Sequence, residues 1–196
     1  MLAGLILGLA APLLGQDAAW YSRVVERDLT GDGQREILEV RAVGETSDDL
    51  TITFRVIADG RDIYATEWDS RAYFTDDDSG DAERRDAQVR SALAEFFDRG
   101  FAPVTHTHPF MGTPLPEAWR PNPESDDPRE WIARELRAAG RGDVDAAAVT
   151  AIWDEMVGRG ALGFSFSTGG QERRRIAWSP RLGRFLVIWS CCEPGA

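Results

Sequence analysis

The chain of 196 residues reads as an α+β domain in which an antiparallel sheet, drawn from N- and C-terminal strands, packs with about three helices. Three observations predict this class. Apolar residues recur with period two through the first third, at helical spacing between Val89 and Val157, and with period two again from Leu162 onward.

Taken in order, Trp20 to Arg27 and Ile37 to Val43 are rich in β-branched residues and roughly alternate, so they read as a strand pair. Leu50, Ile52, Phe54, Val56 and Ala58 alternate with Thr51, Thr53, Arg55 and Ile57, which gives a strand with one apolar face. Asp59-Gly60 turns the chain, because both residues tolerate the positive φ that a tight hairpin needs, and Ile63 to Trp68 returns as the partner strand. The first third is therefore expected to be a four-stranded meander.

Val89, Leu93, Phe96 and Phe97 then follow the i, i+4, i+7, i+8 spacing of an amphipathic helix that ends at Gly100. Six prolines between residues 101 and 126 exclude regular structure there and predict a long surface loop. Asp127-Pro128-Arg129-Glu130 starts a second helix, with Asp127 as N-cap and Pro128 at the first helical position, where its missing N–H is not needed. Gly140 ends it. Asp143 or Asp145 opens a third helix whose stripe is Val149, Ile152, Trp153, Met156 and Val157. Leu162 to Phe166, Glu172 to Trp178 and Gly183 to Ser190 are the closing strands, with bends at Gly169-Gly170 and Ser179-Pro180.

Composition bounds the function. With 43% hydrophobic residues and seven Trp, the chain can bury a sizeable core, and residues 19–196 are expected to form one domain. The formal charge of -11 argues against a nucleic-acid partner. Acidic residues concentrate in the first half, where 21 Asp and Glu face 11 Arg, against 12 and 11 in the second half. Residues 2–14 are an apolar or small-residue run without charge, similar to the core of a secretory signal peptide and too short for a stable membrane span. Residues 1–18 are accordingly expected to be a signal peptide, and the mature chain to be periplasmic or secreted.

The most specific chemistry lies in Asp28 to Glu36, DLTGDGQRE. A Ca²⁺ ion takes six to eight oxygens at roughly 2.3 to 2.6 Å. Asp28, Thr30 and Asp32 can supply three of them, Gln34 a backbone carbonyl, and Glu36 a further carboxylate, while Gly31 and Gly33 let the backbone curl. Asp28, Asp32, Gly33 and Glu39 also fall at the first, fifth, sixth and twelfth places of an EF-hand loop. That loop needs helices on both sides, and strand-like flanks argue against it. The stretch instead resembles the Asp-x-Asn-Gly-Asp-Gly-x-x-Asp turn of FG-GAP and VCBS-type repeats. The resemblance covers only about a dozen residues. It implies calcium binding at Asp28, Thr30, Asp32 and Glu36, with Thr30 in place of the usual Asn or Asp, and no second copy supports a propeller. The competing reading is a metal-free acidic hairpin turn.

Other constellations are weaker. Thr75 to Glu83, TDDDSGDAE, offers a second acidic cluster through Asp76, Asp78 and Asp81, or simply a helix start. His106 and His108 are two potential zinc ligands where a site needs more. Cys191 and Cys192 are adjacent, too close for an unstrained disulfide. Arg173, Arg174, Arg175, Arg181 and Arg184 form the one basic cluster, expected to be a solvated hairpin face. Ser165 and Ser167 lack the glycine-flanked setting of a hydrolase nucleophile. Trp68, Trp119 and Trp131 suit sugar or peptide contact if exposed and core packing if buried. The expected function is an exported, non-enzymatic domain with a calcium-stabilised turn that binds a protein or extracellular polymer. The alternative is a cell-envelope hydrolase using a carboxylate pair.

Overall fold

The computed structural model describes residues 19–74, 81–98, 100–105, 127–140, 144–169 and 172–191. Its elements follow the expected order. Strands β1 (Tyr21–Arg27), β2 (Glu36–Val43), β3 (Thr51–Ala58) and β4 (Arg61–Asp69) precede a 3₁₀ turn, Ser70–Tyr73. Helix α1 (Ala82–Glu95), strand β5 (Phe101–Pro103) and helices α2 (Pro128–Ala138) and α3 (Ala146–Gly158) follow, and strands β6 (Leu162–Gly169), β7 (Glu172–Ser179) and β8 (Arg184–Cys191) close the chain. The class is α+β with antiparallel pairing throughout.

The strands do not share one sheet, as the sequence led us to expect. They form two four-stranded sheets in the orders β1-β2-β3-β4 and β5-β6-β7-β8. The single-sheet expectation rested on the need to cover an apolar face, and the chain meets that need by stacking faces instead of joining edges. Phe54 of β3 meets Phe164 and Phe166 of β6 at ring-centroid distances of 5.3 and 5.0 Å. Around this contact Leu38, Val40, Ile52 and Val56 pack with Ile176, Phe185 and the α1 residues Val89 and Leu93. A second core, including Ile132, Leu136, Ile152, Met156, Leu186 and Ile188, lies where α2 and α3 cover the other face of the second sheet. Burial pushes the hydroxyls of Tyr64 and Tyr73 up to about 12, so both stay neutral at any physiological pH.

Local signals account for most boundaries. Asp59 (φ 50°) and Gly60 (φ 72°) adopt the left-handed conformation of a two-residue hairpin turn. The carboxylates of Asp81, Asp127 and Asp145 cap the three helices by accepting first-turn N–H groups. Of the alternatives for the third helix, Asp145 is the cap. For the acidic stretch before α1, Asp81 takes the helix-start role, while Asp76 and Asp78 lie outside the described residues.

The segment expected to be a proline-rich loop opens with β5, which pairs with β6 from Phe101↔Phe164 to Pro103↔Leu162. Residues 106–126, including His106, His108 and Trp119, lie outside the described residues, as do residues 1–18 and Cys192. No helix among the described residues is long and apolar enough to cross a membrane.

Candidate metal centre

The turn from Asp28 to Gln34 joins β1 to β2, two strands registered from Tyr21↔Ala42 to Arg27↔Glu36. Because the ladder closes at Arg27↔Glu36, the residues between must reverse the chain while leaving Glu36 on the core side of β2. Leu29 makes that reversal rigid. It is buried within the first core, so the turn is anchored from its middle and not only from its strands. Gly31 (φ 75°) and Gly33 (φ 86°) provide left-handed corners that a Cβ would strain.

This backbone path brings three carboxylates together. One oxygen each from Asp28, Asp32 and Glu36 lies within 4.8 Å of the others. Asp32 is exposed, Asp28 half-buried, and Glu36 only 2% accessible. Each is held by hydrogen bonds from the turn itself. Asp28 accepts the N–H groups of Gly31 (2.7 Å) and Gly33 (3.0 Å), and Asp32 accepts that of Gln34 (2.8 Å). Glu36 accepts from the backbone N–H of Leu29 at 2.6 Å, from that of Thr30 at 3.4 Å, and from the Thr30 hydroxyl at 2.8 Å.

Electrostatically the cluster is one-sided. No arginine among the described residues pairs with Asp28, Asp32 or Glu36, although β1 carries arginines that find partners elsewhere. Arg23 pairs with Asp98, and Arg27 donates to the Glu26 carbonyl and lies 5.4 Å from the Phe101 ring centroid. The donor set is therefore all oxygen and strongly anionic, which fits a hard divalent cation and not a soft thiolate- or imidazole-seeking one.

Every carboxylate oxygen has two lone pairs, so the N–H contacts leave acceptor capacity for an ion. Asp28, Asp32 and Glu36 would hold the metal directly. Thr30 stands beside them with its hydroxyl hydrogen directed at Glu36, and Gln34 brings its N–H to Asp32. The sequence suggested that Thr30 offers an oxygen. It did not show that Thr30 also orients the buried glutamate, a role set by the return of β2.

The remaining constellations disperse. Arg175, expected on a solvated face, is buried at 2% accessibility. It donates to the carbonyls of Ala102 (2.9 Å) and Pro103 (3.0 Å), so it ties β7 to β5 across β6 within the second sheet. The cause is local crowding: Gly163 leaves the space, and a Cβ there would stand 2.7 Å from the Arg175 Nε. Burial lowers the pKa of this guanidinium without discharging it. Arg174 pairs with Glu172 at 2.6 Å, Arg181 with Glu155 at 3.2 Å, and Arg184 reaches the Glu135 carbonyl at 3.5 Å. Arg174, Arg175, Arg181 and Arg184 thus serve separate contacts. Trp68 is half-buried and stacks on Phe96 with ring centroids 6.0 Å apart, which makes it core packing.

Comparison of the chain with protein-family models, with curated proteins and with solved structures found no match.

Proposed function

We propose that Asp28, Thr30, Asp32, Gln34 and Glu36 bind one Ca²⁺ that stabilises the native fold of an exported, non-enzymatic domain, and that this domain binds a protein or extracellular polymer. The observation that supports it is the convergence of three carboxylates within 4.8 Å, one of them on a 2% accessible residue, with no arginine among the described residues to balance them. Folding crowds these charges, and a bound divalent cation offsets their repulsion. Export suits an ion that is abundant outside cells, and it rests on the charge-free run of residues 2–14.

Thermal unfolding in chelator and in millimolar Ca²⁺ tests the site. An ion that binds the native state alone adds RT ln(1 + [L]/Kd), about 2.7 kcal/mol at roughly one hundred times Kd. The melting temperature should rise with Ca²⁺, and less with Mg²⁺, which holds its waters more tightly. Asp32→Ala should abolish the response at little cost to metal-free stability, since Asp32 is exposed and caps only the Gln34 N–H. Superposable curves in chelator and Ca²⁺, with calorimetry detecting no binding, would leave a hydrogen-bonded turn with no ion.

A further inference from the structure

We draw no further inference here: the strongest candidate, the outward face of the first sheet around Val24 (53% accessible) and Ile37 (41% accessible), carries nothing because nothing in the structure shows what covers it.

Discussion

Replacing Glu36 with alanine removes the only acceptor among the described residues for the buried Leu29 N–H, and it does so without any need for a metal. The glutamate is 2% accessible, and it accepts from Leu29 N at 2.6 Å, Thr30 N at 3.4 Å and Thr30 Oγ1 at 2.8 Å. Thr30 is half-buried, so its donors can turn to water in the variant, whereas Leu29 is 1% accessible and held in the core. An unsatisfied buried donor costs about 1–3 kcal/mol, and the cavity left by the missing side chain adds to it. We expect about 2–4 kcal/mol in chelator, which lowers the melting temperature of a chain this size by roughly 5–15 °C. Glu36→Gln keeps an amide oxygen where the carboxylate stood, and should recover half or more of that loss while still weakening the Ca²⁺ response. Chemical denaturation in chelator, fitted with a common m-value, is the assay. A Glu36→Ala variant within about 0.5 kcal/mol of wild type would place the residue among ordinary surface sites and refute the anchored turn.

Two further outcomes follow from the packing. Phe54 is fully buried and touches Tyr64, Phe96, Phe97, Phe164 and Phe166, so Phe54→Ala should cost about 3–5 kcal/mol; a loss below about 1 kcal/mol by urea unfolding would mean that the two sheets do not share this core. Glu135 on α2 has its pKa raised above 4.5 by burial, partly offset by Arg184 and Arg174, so it adds stability only below its unfolded pKa and opposes folding once pH rises through the folded one. Glu135→Gln should therefore gain on wild type between mildly acid and neutral pH, and a stability difference that stays flat or falls across that range contradicts the assignment.

Much of this fold was legible in the sequence because its causes are local. The alternation of Leu50 to Ala58 forms β3 with Ile52, Phe54 and Val56 inward, and Asp59-Gly60 turns it as expected. Asp127 and Pro128 start α2 because a cap and a preset φ act within one turn of the chain. The candidate site was half legible. Acidic residues and glycines in a nine-residue span marked the turn, since the groups that converge there are neighbours in sequence.

What the tertiary structure decided involves partners distant along the chain. Periodicity gives each strand an apolar face but says nothing about whether that face is covered by extending a sheet or by stacking a second one. Contacts between Phe54 and Phe164, 110 positions apart, settle that. Arg175 looked like one of several solvated arginines, and only the space above Gly163 and the carbonyls of β5 put it inside. Leu29 and Glu36 carried no sign in the turn's composition that one would enter the core and the other be buried beneath it. Residue types fix which groups can bond and how the backbone turns locally; burial depends on which surfaces meet, and that is a property of the whole chain.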